Sequence, residues 1–306
     1  MITQSTAREP VPLEADGPPF YLPVGNEVEV FEAAWRRGLP LMLKGPTGCG
    51  KTRLVEHMAS RLGRPLFTVS CHEDMTASDL LGRFLLSGGD TTWVDGPLTQ
   101  AARVGGICYL DEVVEARPDA VVAIHSLADH RRELNLERLG GTTIQAAPGF
   151  QLVVSYNPGY QSVLKDMKPS TRQRMVAVEL GFPTADRERE ILERETDLRG
   201  RPADELIRLG QAVRRLDHPG LREVASTRTL VAAALLVTEG LSFTDAATAA
   251  VAGPLSDDPE LRNGLIAMIR AFDPGNDPAA EGTSGHAGHQ AAQKTTRTTN
   301  WIQERA

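Results

Sequence analysis

Long apolar runs are missing from this 306-residue chain, and none reaches the roughly 18 residues of a membrane span. No membrane insertion is expected. Cysteine is scarce. Cys49, Cys71 and Cys108 are the whole set, and their spacing matches no metal site. A reduced, cytoplasmic compartment is the simple inference. Basic charge is not in excess either. With 33 Lys and Arg against 40 Asp and Glu, the formal net charge is −7. That does not favour a footprint on a phosphate backbone. Residues 1–19 contain no apolar h-region, so no secretory signal is expected there. What is present, 41% hydrophobic and 24% charged residues, suits a water-soluble globular protein of one large domain or two ordinary ones.

The strongest positive signal lies at Gly45, Pro46, Thr47, Gly48, Cys49, Gly50, Lys51 and Thr52. It is a complete G-x-x-x-x-G-K-[ST] phosphate loop. It follows an apolar run, Leu39 to Leu43, and opens a helical pattern from Thr52 to Leu62. Strand, glycine turn and helix are the context this motif needs. The glycines let the backbone approach a polyphosphate, and the freed N–H groups at a helix start bind anionic oxygens. Lys51 adds a charge at the outer phosphates. Thr52 offers a hydroxyl to Mg²⁺.

Apolar strands are expected at Leu41–Lys44, Leu66–Ser70, Gly106–Leu110, Leu152–Tyr156 and Val176–Leu180. They alternate with helical patterns, which predicts an α/β fold: a parallel sheet with helices on both faces. Asn26 with Glu29 three residues on reads as a capping box for a helix whose apolar face is Val28, Phe31, Ala34 and Trp35. From Thr184 only helical patterns follow, at 184–195, 203–216, 226–239, 243–252 and 257–272. The expected organisation is therefore a leader (1–19), an α/β domain (20–183), a small all-α domain (184–272) and a low-complexity tail (273–306). Two insertions read as hairpins, 84–95 around Gly88-Gly89 and 131–148 around Gly140-Gly141. Trp93, with Phe84 and Leu86, puts apolar surface on the first. Trp93 is either a contact for a partner or local core. Glu73, Asp74 and Asp79 read as solvated acids without a role.

Three further strand ends carry chemistry. The run from Gly106 closes in Asp111 and Glu112. Asp111 would hold Mg²⁺ through its water shell, and Glu112 would orient and deprotonate an attacking water. The run from Leu152 closes in Asn157, placed to hydrogen-bond a γ-phosphate or the lytic water. Arg172 and Arg174 stand just before the last strand. A guanidinium there could stabilise the transferred phosphoryl group, and it could come from a neighbouring subunit. In the helical region Ser226 could cap a helix and Arg228 could reach back to the γ-phosphate.

In this order, the phosphate loop, Asp-Glu, Asn, arginine before a strand and Ser-Thr-Arg in a helical lid resemble the AAA+ ATPases. The two hairpins resemble the MoxR branch. The wording of Leu43–Thr52, Ile107–Arg117, Val154–Gln161 and Lys168–Arg174 resembles the CbbQ/NirQ/NorQ family, from about Phe20 to Phe272. One departure is Met175, where the family pattern usually has Phe. The resemblance implies an ATPase that uses Mg²⁺ and forms a homo-hexameric ring. It also implies activation of a client enzyme, nitric oxide reductase or rubisco, together with a partner carrying a von Willebrand A domain. It places the trans arginine at Arg174, with Arg172 the runner-up. It makes the hairpins candidates for client or partner contact.

Two other classes are weighed against this. A nucleic-acid motor or loader of the same fold would use Arg131, Arg132 and Arg138 in the second hairpin, but net charge and the lack of a basic-aromatic stripe stand against it. A small-molecule kinase or switch NTPase would need neither the helical lid nor a trans arginine.

Overall fold

The computed structural model describes residues 18–157, 167–216, 218, 220–221 and 223–275. The leader up to residue 17 and the tail from residue 276 lie outside them. In chain order the first part comprises α1 (Glu27–Arg37), β1 (Leu41–Lys44), α2 (Lys51–Arg61), β2 (Leu66–Ser70), α3 (Ala77–Leu81), β3 (Gly82–Ser87), β4 (Asp90–Asp95), α4 (Pro97–Val104) and β5 (Ile107–Asp111). It continues through α5 (Pro118–Ala123), β6 (Glu133–Leu136), β7 (Thr142–Gln145), β8 (Gln151–Tyr156), α6 (Pro169–Arg172) and β9 (Val176–Glu179).

The strands expected from the apolar runs form one sheet in the order β2-β5-β8-β1-β9, and every pairing in it is parallel. Period-two alternation divides each strand between two cores. Leu41, Leu43, Ile107, Tyr109 and Val153 face α1 and α2. Met42, Cys108, Leu110, Leu152 and Val154 face α4 and the hairpin side. Buried on both faces, such strands must be apolar along their whole length, which is why the sequence shows them as short unbroken runs.

Among the described residues after β9 the elements are all helical: α7 (Ala185–Thr196), α8 (Arg201–Arg214), α9 (Thr227–Thr238), α10 (Phe243–Ala247), α11 (Gly253–Leu255) and α12 (Pro259–Ala271). They enclose a separate core of Leu192, Leu206, Leu209, Leu230, Val251 and Ile269. A wide π turn at 248–252 interrupts the helical pattern expected over 243–252. Among the described residues no helix is long and apolar enough to cross a membrane.

Two expectations are corrected and two open readings are narrowed. Asn26 does not cap α1. Its backbone sits at φ −104°, ψ 18° and its side chain makes no capping bond. Glu27 folds back instead, accepting from Val24 N at 2.6 Å, Gly25 N at 2.7 Å and Tyr21 Oη at 2.8 Å. Asp79 is not a plain solvated acid. It closes a capping box with Thr76 at the start of α3. In the β3–β4 hairpin, Trp93 packs on the core below it, and its Nε1 donates to Asp95 at 2.7 Å. The outward apolar surface is Phe84, Leu85 and Leu86, with Leu86 77% exposed. In the second hairpin region, Arg131 pairs with Asp129 at 2.6 Å and Arg132 donates to the Phe150 carbonyl at 2.8 Å. Two of the three arginines that a nucleic-acid reading needs are thus engaged within the chain.

Candidate functional site

The loop between β1 and α2 carries the phosphate motif at the carboxyl edge of the sheet. Gly50 is the N-cap of α2 at φ 100°, a left-handed conformation that a side chain would strain. Gly48, at φ 72°, lies so close to the lid that a Cβ there would stand 2.5 Å from Ser226 Oγ. Lys51 is buried at the first position of α2. Its Nζ donates to the carbonyls of Gly45 and Pro46 at 2.8 and 2.9 Å and to Asn157 Oδ1 at 2.6 Å. Burial pulls the Lys51 ammonium below its ordinary range, against the opposing pull of Cys49, Asp111 and Glu112.

β5, β8 and β1 are neighbours, so their carboxyl ends bring Asp111, Glu112, Asn157 and the phosphate loop together. Asn157 Nδ2 also donates to Thr47 Oγ1 at 3.2 Å, tying the end of β8 to the loop. Asp111 Oδ1 accepts from Tyr109 Oη at 2.7 Å and from Ser155 Oγ at 2.5 Å. Tyr109 Oη lies 3.4 Å from Thr52 Oγ1. The two groups expected near Mg²⁺ therefore share one tyrosine. Glu112 follows in the left-handed region, φ 54°, and its N–H donates to Ser155 Oγ at 3.0 Å. A non-glycine residue held there signals strain that the surroundings enforce. Loss of hydration, then the charges of Asp111 and Glu115, raise the Glu112 carboxyl above the ordinary range. The thiols of Cys49, Cys71 and Cys108 are all buried and pushed up by burial, which makes them inert.

Lys51, Thr52, Asp111, Glu112 and Asn157 line a cavity of about 590 Å³, of the size that holds a nucleotide. Arg228, in the first turn of α9, lines the same cavity from the lid side. Its charge reaches Lys51, adding to the effect of burial, and Cys49, where it only partly offsets burial. Arg172 and Arg174 are not brought into the cavity. They stand at α6 and just after it, where Arg174 Nη1 donates to the Ser170 carbonyl. The α6 turn is held from behind by His125, whose Nε2 lies 2.8 Å from Thr171 Oγ1.

The apolar part of the cavity lining was not anticipated. Phe20, Tyr21, Leu22 and Val24 contribute to it from the strap before α1, and Ile191 and Val231 contribute from the lid. This strap is pinned on both sides. His57 Nδ1 lies 2.9 Å from the Pro19 carbonyl, and Arg194 of α7 sits 4.4 Å from the Phe20 ring centroid. An aromatic pair just before the first helix was the available signal. Tyr109 and Ser155 were also missed. Each stands two residues before a named site residue on its strand, and residues i and i+2 share a face.

The sequence matches the family model described as AAA domain (dynein-related subfamily) over residues 40–175. The model described as CbbQ/NirQ/NorQ C-terminal matches residues 188–272. Denitrification regulatory protein NirQ of Pseudomonas aeruginosa is 59% identical over 254 residues, which cover 83% of this chain and 97% of that protein. Protein NorQ of Paracoccus denitrificans is 58% identical, covering 83% and 94%. Protein CbbQ of Hydrogenophilus thermoluteolus is 53% identical, covering 83% and 95%. Among solved structures, NtrX from Brucella abortus superposes with a TM-score of 0.50 at 16% identity, covering 85% of this chain and 65% of that one, a likeness of fold alone. With phosphate loop, acidic strand end and helical lid around one cavity, and with relatives of this identity along most of its length, the chain belongs to the CbbQ/NirQ/NorQ family and is an AAA+ ATPase.

Proposed function

We propose that this ATPase couples Mg-ATP hydrolysis to the activation of a client enzyme, within a homo-hexameric ring in the cytoplasm. The observation that carries the hydrolytic half is the convergence of Lys51, Asp111, Glu112, Asn157 and Arg228 on one nucleotide-sized cavity. The loop N–H groups and Lys51 hold the phosphates, with the base between the 20–24 strap and the lid. Thr52 and Asp111 are oxygen donors of the kind Mg²⁺ takes, and the tyrosine they share orients both. Bound there, the ion would offset charge on the transferred phosphoryl group. Glu112 takes the proton of the attacking water. Asn157 orients that water or the γ-phosphate. Arg228 stabilises charge on the phosphoryl oxygens from the lid, and Arg174 does so from the neighbouring subunit.

The client half rests on the relatives. One is named for regulating denitrification, and the family resemblance adds nitric oxide reductase and rubisco as clients and a von Willebrand A domain protein as co-factor in activation. The exposed Phe84, Leu85 and Leu86 offer the apolar contact such work needs. The test is reconstitution. Either client, prepared in its inactive form, is incubated with this protein, the partner and Mg-ATP. Recovery of client activity with ATP, and none with a non-hydrolysable analogue, is the expected result. ATP turnover stimulated by duplex DNA at low salt, with no client recovery, would favour a nucleic-acid motor instead.

A further inference from the structure

Glu188 of α7 is fully buried, and Arg214 of α8 covers it. Each guanidinium nitrogen of Arg214 has a partner. Nη1 donates to Glu188 Oε2 at 2.9 Å, Nη2 to Glu188 Oε1 at 2.6 Å, and Nε to the Ala225 carbonyl at 2.6 Å. Glu188 Oε1 also accepts from Thr227 Oγ1 at 2.7 Å. The chain is therefore gripped on both sides of Ser226, by a carbonyl before it and a hydroxyl after it. Ser226 itself caps α9 and lies against Gly48 of the phosphate loop. Arg228 Cβ would be 3.5 Å from a Cβ at Gly48. The outer face of Arg214 lies 4.2 Å from the ring of Phe182, which packs against the α/β core. One path of contacts thus runs from the α/β core through the ion pair to the start of α9.

Stability alone does not call for this arrangement. A buried ion pair replaced by apolar side chains of similar volume is often no less stable. Apolar side chains could not, however, fix a carbonyl and a hydroxyl on either side of Ser226. A bidentate guanidinium–carboxylate pair sets direction as well as distance.

We propose that the Glu188–Arg214 pair is a positioning device: it holds Ala225 and Thr227 so that Arg228 meets the phosphate end of the cavity. This rests on the role given to Arg228 above. Glu188 and Arg214 touch neither the cavity nor a substrate. They act through α9.

The test uses the full chain, with ATP turnover, melting temperature and equilibrium binding of ribose-labelled ATP and ADP. Thr227→Val keeps the shape and removes the hydroxyl. It is expected to stay folded with a modestly lowered melt, from one lost carboxylate hydrogen bond, to keep its ADP affinity, lose its preference for ATP and lose turnover on the order of tenfold, as a misplaced group does. Thr227→Ser should recover most of that loss. Thr227→Val combined with Arg228→Ala should turn over no more slowly than Arg228→Ala alone, because both act through one group. Thr227 lines the cavity and Glu188 does not, so Glu188→Gln separates positioning from direct contact and should copy Thr227→Val. If it fails to fold, the Thr227 variants carry the test. Wild-type turnover in Thr227→Val, or in a folded Glu188→Gln, overturns the proposal. So does a double variant whose loss is the product of the single losses. Failure of the underlying role shows separately: wild-type turnover in Arg228→Ala removes Arg228 from the reaction, and the proposal with it.

Discussion

Lys51 has three hydrogen-bond donors, and two backbone carbonyls and Asn157 take all of them. Phosphate oxygens are charged acceptors and compete well against these neutral ones. Lys51→Ala should weaken ATP binding by about 2 kcal/mol, roughly thirtyfold in Kd, as titration calorimetry would show. Glu112 must be ionised to take a proton, and its surroundings raise its pKa. The acid limb of turnover should therefore fall at a pH above the ordinary glutamate value, with activity lost as pH drops through it. Glu112→Gln should bind ATP, turn over on the order of 10²–10⁴ more slowly and lose that limb. Near-wild-type turnover would remove the base from Glu112. Glu27 titrates the other way. Burial pushes its pKa up, but bonds from Val24, Tyr21 and Gly25 outweigh it and hold the carboxyl below the ordinary range. Its contribution is full above the unfolded pKa and is lost as pH falls through the folded one. Glu27→Gln should cost about 2 kcal/mol at neutral pH, and the gap to wild type should close in acid melts.

The elements were legible to different depths. The sheet could be read because a strand buried on both faces must be apolar along its length, and because each of two apolar runs ends in a polar side chain, Asp111 or Asn157. Strand order then explains why those ends meet: β5, β8 and β1 are adjacent. Side-chain direction was harder. Asn26 had the right spacing for a cap but the wrong backbone angles, and Glu27 did its work through residues before the helix. The Glu188–Arg214 pair joins residues 26 apart, with no periodic signal to link them. The hairpin tip could be found from Gly88-Gly89, but which aromatic faced out depended on the core beneath it. Trp93 faces that core, so Trp93→Ala should lower stability by about 2 kcal/mol, less than the 3–5 kcal/mol of a fully buried aromatic. Leu86→Ser should leave the melt and basal turnover unchanged and reduce client activation. Equal client activation in Leu86→Ser and wild type would remove the hairpin from client contact.

At the scale of the whole molecule, the cavity of one chain holds every group proposed for hydrolysis except Arg174, which stands at α6. The proposed ring would bring this arginine to the next subunit's nucleotide. Arg174→Ala should therefore cut turnover while a single chain binds ATP as before. Glu112→Gln should also be nearly inactive alone. In the proposed ring the two defects would lie on opposite sides of a shared site. Where a Glu112→Gln subunit lends its intact Arg174 to an Arg174→Ala neighbour, that neighbour has both parts. The decisive measurement is ATP turnover of the two inactive variants mixed, with co-assembly verified by differently tagged subunits. A site shared between subunits predicts that turnover returns in part and peaks at intermediate mixing ratios. Verified mixed assemblies that stay as inactive as either variant alone would contradict it.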